Sequence, residues 1–146
     1  MIVRGQFASI VHRMAGEEEV TFTPDFPDVA EGDWFMQPVL WAKANKVVSG
    51  YGNGSFGPND DIIREQIAIM LHNYATYKGY DTTAQEELDG FVDGDQVSSW
   101  AVPAMKWAVA NGIISGTSEG ELKPHADASR AECAAMIMNF MEKFVK

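Results

Sequence analysis

The apolar positions of this chain fall into one stripe that occurs three times. Phe7, Ile10, Val11 and Met14 form the first set, Ile67, Met70, Leu71 and Tyr74 the second, and Cys133, Met136, Ile137 and Phe140 the third. Each set has the spacing i, i+3, i+4, i+7, which lines one face of an α-helix. Ahead of the second and third sets stand Trp34 and Trp41, then Trp100 and Trp107, each pair seven residues apart and so predicted to share one face of a further helix. Pro38 and Pro103 fall within the first turn or so of these helices, where a missing amide is tolerated. Gly50 and Gly116 follow Val47-Val48 and Ile113-Ile114 as helix stops. The segment YGNGSFGPNDD then supplies turn-forming Gly and Pro. No strand-like alternation of useful length occurs, although short β pairings in the loops remain open. The pattern therefore predicts a mainly α chain of helix–Gly-rich loop–helix units. Three equivalent amphipathic helices, each with a stripe to hide, suggest a three-helix core of approximate threefold symmetry.

The units are an internal repeat. A shift of 66 residues puts Trp34 on Trp100, Trp41 on Trp107, Ser49-Gly50 on Ser115-Gly116, Pro58 on Pro124 and Arg64 on Arg130 without a gap. A shift of 60 puts Arg4, Gln6, Ala8 and His12 on Arg64, Gln66, Ala68 and His72. Residues 26–77 and 91–146 thus read as complete repeats, and residues 1–15 as the last helix of a truncated one. Residues 16–25 and 78–90 are acidic connectors. Together the pieces are predicted to form one compact unit.

Composition narrows the function. The chain has 146 residues, 11 Lys plus Arg against 21 Asp plus Glu, and a formal net charge of −10. That balance argues against general nucleic-acid binding and against a polybasic membrane patch. One cysteine, Cys133, makes neither an intrachain disulfide nor a Cys-rich zinc site; it takes the place of Phe7 and Ile67 and reads as a small core residue. His12 and His72 read as partly exposed helix residues without converging metal ligands. No signal-peptide pattern opens the chain. The loops miss the Gly and bidentate Glu of an EF-hand, and no nucleophilic triad, P-loop or dinucleotide fingerprint is found. No cofactor, metal or catalytic residue is implied.

The order Phe-x-Asp, Trp, a second Trp seven later, a hydrophobic pair, Ser-Gly, a Gly-rich loop and an Arg-bearing helix start resembles the S-layer homology (SLH) repeat. Residues 26–68 and 91–134 carry it, and residues 1–15 resemble the end of a preceding copy. The resemblance implies a pseudo-threefold, three-pronged helical spindle. It further implies non-covalent anchoring of bacterial surface proteins to a cell-wall secondary polysaccharide or peptidoglycan-linked polymer, often pyruvylated, bound in grooves between repeats. It implies an extracellular, cell-wall location, with the export signal outside this chain. The family's Thr-Arg-Ala-Glu helix start is carried by Ser129-Arg130-Ala131-Glu132. Ile63-Arg64-Glu65-Gln66 and Val3-Arg4-Gly5-Gln6 keep only the arginine and replace the closing Glu with Gln.

Residue chemistry supplies candidates with alternatives beside them. Arg4, Arg64 and Arg130 recur at a helix start, where a cation opposes the dipole. Guanidinium, dipole and free amides together suit a carboxylate, and the alternative is pairing with Asp28 or Asp93. Trp34 and Trp100 offer faces to a sugar ring or fill the core; Trp41 and Trp107 are assigned to the core. Ser49, Gly50, Ser115 and Gly116 either admit a ligand to the backbone or end a helix. Asp28 and Asp93 are structural supports, through loop amides or an arginine. Ser129 and Glu132 form a capping box, with Asp60 or Asp61 as the cap in the middle repeat. A protein–protein module using the same grooves is the competing function. A monomer is expected, and a dimer through the truncated repeat is the alternative.

Overall fold

A computed structural model describes residues 1–145. Its five α-helices are α1 (Arg4–Met14), α2 (Met36–Ala44), α3 (Arg64–Lys78), α4 (Val102–Ala110) and α5 (Arg130–Phe144). Short 3-10 turns at Gly94–Gln96 and Ser99–Ala101 precede α4. Among the described residues β pairing is limited to two isolated antiparallel bridges, Val3 with Asp61 and Ile63 with Asp127. The chain is thus a mainly α repeat assembly, as its apolar pattern predicts.

The helices combine across repeat boundaries. The chain divides into two compact units, residues 2–62 and residues 63 onward with Met1. Each unit joins the last helix of one sequence repeat to the Trp helix and Gly-rich loop of the next. In the first unit α1 packs on α2, and in the second α3 packs on α4. The seam is the same in both. Arg4 and Gly5 amides donate to the Asp60 and Pro58 carbonyls at 2.8 and 2.9 Å, and Arg64 and Glu65 amides donate to Ala126 and Pro124 at 3.1 and 3.0 Å. The first orphan amides of both helices are therefore satisfied by loop backbone. They are not free for a ligand, contrary to the expectation from the helix starts.

The three predicted stripes are buried at Phe7 and Val11, at Ile67, Met70, Leu71 and Tyr74, and at Cys133, Met136 and Phe140. Helices α1 and α3 also bury a second face. Arg4, Gly5, Ala8 and His12, and Arg64, Glu65, Ala68 and Ala75, are buried, whereas Ala131, Ala134 and Met138 of α5 are exposed. His12 is accordingly covered, not partly exposed as its sequence position suggests. Its ring packs 5.4 Å from Trp41, and Nε2 lies 2.7 Å from the Glu18 carbonyl oxygen. His72 packs edge-on against Trp107 at 5.1 Å.

Two local expectations change. Helices α2 and α4 begin at Met36 and Val102, so Trp34 and Trp100 precede them and do not share their helical face. In α3 the cap residue is Ile63, and neither Asp60 nor Asp61 supplies a cap oxygen: the Gln66 amide donates to the Ile63 carbonyl at 3.0 Å, and the Gln66 side chain accepts from the Ile63 amide at 3.1 Å. Cys133 sits in the stripe, where burial pushes its thiol up to about 11. A thiol held neutral is a poor nucleophile. At pH 7.5 an aromatic disulfide reagent should therefore leave the native chain unlabelled and take up one equivalent in urea; rapid labelling of the native chain would contradict the burial.

Candidate functional site

In the first unit the site forms around Arg4. The residue is 6% exposed, and its Nε donates to the Phe56 carbonyl at 2.9 Å. The guanidinium carbon lies 4.6 Å from the centre of the Tyr51 ring and 4.7 Å from that of Phe56, both cation–π distances. Tyr51 donates its hydroxyl to Asp60 Oδ2 at 2.8 Å. Burial draws the Arg4 pKa below its usual range, while Tyr51, Asp60 and Asp28 act against that shift. Gly5 allows the close approach of α1 to this loop, because a Cβ there would stand 3.0 Å from the Pro58 carbonyl oxygen and 3.3 Å from Phe35 Cβ. Phe35 in turn packs edge-on against Trp34 at 5.2 Å.

The second unit repeats the frame with different contents. Arg64 Nε donates to the Leu122 carbonyl at 2.8 Å, and Leu122 is the repeat partner of Phe56. Its Nη1 meets Glu132 Oε2 at 2.6 Å, and Nη2 points at the Ser115 carbonyl at 3.5 Å. Glu132 does two things at once. Its Oε1 accepts from the Ser129 amide at 3.0 Å, while Ser129 Oγ accepts from the Glu132 amide at 3.1 Å, closing a capping box. The Ser129 amide first, then the Ser129 hydroxyl and Arg64, against some burial, hold the Glu132 carboxyl below its ordinary value.

The paired aspartates brace the loops. Asp28 accepts from the Phe56 and Gly57 amides at 3.0 and 2.8 Å. Asp93 accepts from Leu122 and Lys123 at 2.7 and 2.9 Å. Burial raises both carboxyls, but these amides, with Arg4 or Arg64 further off, outweigh it and leave both below the ordinary value. Neither aspartate forms an ion pair with an arginine among the described residues.

The remaining candidates divide. Trp34 and Trp100 are 60% and 75% exposed, while Trp41 and Trp107 are fully buried. Ser49 and Ser115 are exposed. Gly50 and Gly116 lie under Phe26 and Phe91, whose rings a Cβ would meet at 2.6 and 2.7 Å. Arg130 is exposed at the start of α5, and no loop of the described chain packs over it as loops do over Arg4 and Arg64.

Sequence reasoning missed a cluster at the second seam. Buried Glu65 accepts from the Ser98 amide at 3.1 Å, and its Oε1 lies 3.1 Å from His125 Nε2. Ser98 Oγ lies 3.1 Å from that same nitrogen. A nucleophilic triad needs the hydroxyl and the acid on opposite ring nitrogens, so the cluster ties the segment before α4 to α3 and relays no proton. The only sequence signal was an acid at a position where the other repeats have Gly5 and Ala131. A separate depression of about 360 Å³ lies between the end of α1 and α2. It contains none of the predicted site residues, and its Gln37 is already committed to Val20 at 2.8 Å.

Residues 25–68 and 90–134 match the S-layer homology domain family. Three curated relatives frame that match. An amylopullulanase of Thermoanaerobacterium thermosulfurigenes is 31% identical over 97% of this chain and 8% of its own length. A surface-layer 125 kDa protein of Lysinibacillus sphaericus is 25% identical over 92% of the chain and 11% of its own length. A cellulosome-anchoring protein of Acetivibrio thermocellus is 28% identical over 68% of the chain and 22% of its own length. The chain therefore spans less than a quarter of each relative.

Proposed function

The chain belongs to the S-layer homology domain family, and from that premise we propose that it holds a larger surface protein to the bacterial cell wall by binding an anionic secondary polymer, with pyruvate ketal carboxylates as its charged groups. The family is one of cell-wall binding domains at the cell surface. Its part is binding, and enzyme names among the relatives belong to the large remainder of those proteins.

The exposed tryptophans are the observation that carries the proposal. A large aromatic side chain left in water at the same place in two repeats marks a contact surface. Trp34 is tied through Phe35 to the helix start of Arg4, and Trp100 follows Ser98, which is tied to the helix start of Arg64. Both tryptophans offer an apolar ring face for a sugar; the unit of Trp34 also holds Arg4, which pairs with no carboxylate among the described residues, whereas Arg64 in the unit of Trp100 is already met by Glu132. With a net charge of −10, the field of the whole protein opposes an anionic ligand, so these local groups must supply the attraction.

Sedimentation with purified cell-wall sacculi tests the reading. Intact walls should retain the chain, and walls stripped of secondary polymer by acid should not. The double substitution Trp34→Ala and Trp100→Ala should weaken retention by about tenfold or more while the far-UV CD spectrum stays unchanged. Equal retention on stripped and intact walls would overturn the polymer reading in favour of a protein partner or the bare peptidoglycan.

A further inference from the structure

The two arginine frames share the contact that aims the guanidinium but differ in what meets it. In the second unit a carboxylate already occupies Arg64, supplied by Glu132 at 2.6 Å. In the first unit no carboxylate forms an ion pair with Arg4 among the described residues, and its two terminal nitrogens make no hydrogen bond. Among the described residues no fully buried side-chain nitrogen lacks a partner, so those nitrogens are not sealed from solvent although the residue as a whole is 6% exposed. A guanidinium fixed by Nε and two aromatic rings, with its other donors open, is preorganised for a planar acceptor.

The sequence explains the difference. The repeat partner of Glu132 in α3 is Gln66, a neutral amide that caps Ile63 and brings no negative charge. Tyr51, Phe56 and Asp60 around Arg4 correspond to Thr117, Leu122 and Ala126 in the second unit. Among the described residues the aromatic walls therefore stand at Arg4 and not at Arg64. They suit a carboxylate that carries a small apolar group on the same carbon, since the methyl meets a ring while the oxygens meet the guanidinium.

We propose that the two sites are inequivalent: Arg4, walled by Tyr51 and Phe56, takes the ligand carboxylate, and Arg64 is held shut by Glu132, which occupies the place a ligand carboxylate would take. The inference rests on the wall-polymer reading and assigns its anionic group to one site. Asp60 tempers Arg4 electrostatically, so Asp60→Asn strengthens binding there. Glu132→Gln opens Arg64 without loss of the cap, because a glutamine side chain already serves that role in α3 and α1.

The test uses the full chain labelled with 15N-arginine and a methyl hexoside carrying a 4,6-linked pyruvate ketal. The same hexoside without the ketal is the control. Nε–H signals are assigned from Arg4→Lys and Arg64→Lys spectra. The ketal should shift the Arg4 signal saturably and leave Arg64 in place, and Arg4→Lys should weaken wall retention by about tenfold or more. In Glu132→Gln the Arg64 signal should respond as well. A response of Arg64 equal to that of Arg4 in the unaltered chain would overturn the inequivalence, as would walls that retain Arg4→Lys fully. Failure of the polymer reading looks different: intact and stripped walls would then retain the chain alike.

Discussion

Trp107→Ala should lower the free energy of unfolding by about 3–5 kcal/mol, whereas Trp100→Ala should change it by less than about 0.5 kcal/mol. Trp107 is fully buried in the second unit. Its indole stacks on Phe144 at 5.7 Å with an interplanar angle of 15°, and it meets Phe140 at 6.3 Å and His72 at 5.1 Å. Its Nε1 donates to the Asp81 carbonyl at 3.4 Å. Truncation removes the largest ring of that cluster and leaves a cavity that surrounding helices only partly fill. Trp100 is 75% exposed and loses little on truncation. Urea unfolding followed by far-UV CD gives both values, and Trp107→Phe should recover part of the loss. Equal costs at the two positions would contradict the burial.

That contrast shows how far the sequence reaches. The seven-residue spacing of the tryptophans places each pair on one helical face, with Trp41 and Trp107 in the core. The spacing carries no information on where the helix begins. With Pro103 just inside α4, the helix starts two residues after Trp100, and the tryptophan falls in the preceding 3-10 turn. The helices themselves were legible, because their stripes are apolar and their ends carry Gly or Pro. The second buried face of α1 and α3 was not. Its members include Arg4, Gly5, His12, Arg64 and Glu65, which read as surface residues until a loop packs over them.

The site was legible as a set of positions and illegible as a set of contacts. Repetition alone drew attention to Arg4, Arg64 and Arg130. The sequence offered Asp28 and Asp93 as their carboxylate partners, yet both are committed to loop amides. The carboxylate that does meet Arg64 is Glu132, 68 positions along the chain and already assigned to a helix cap. A motif that explains a residue locally hides its second role. Backbone conformation is similarly veiled. Lys46 and Lys123 adopt φ of 63° and 50°, and only alignment with Gly112 and Gly57, at 69° and 74°, reveals that the fold requires the left-handed region there.

Gly50 brings the structural and ligand-binding readings of one residue to a decision. Its φ is 82°, and a Cβ there would stand 2.6 Å from the Phe26 ring and 2.8 Å from the Ser55 carbonyl oxygen. Gly50→Ala therefore combines backbone strain of about 1–3 kcal/mol with overpacking of similar size. The expected loss is about 2–6 kcal/mol of unfolding free energy. At Gly116 the backbone is outside the left-handed region, and the nearest obstacle is the Phe91 ring at 2.7 Å. Gly116→Ala should cost about 1–3 kcal/mol through overpacking alone. Trimming the obstructing ring separates the two causes. Phe91→Leu should offset much of the Gly116→Ala penalty. Phe26→Leu should relieve less at Gly50, since neither φ nor the Ser55 carbonyl changes with the ring. If these glycines served only to admit a ligand to the backbone, both alanine variants would unfold at the unaltered urea midpoint and differ only in wall retention. A lowered midpoint with the larger drop at Gly50 assigns them to the fold, where each lets an aromatic ring close over the end of the Trp helix and set the loop whose amides Asp28 or Asp93 holds and whose Phe56 or Leu122 carbonyl accepts from Arg4 or Arg64.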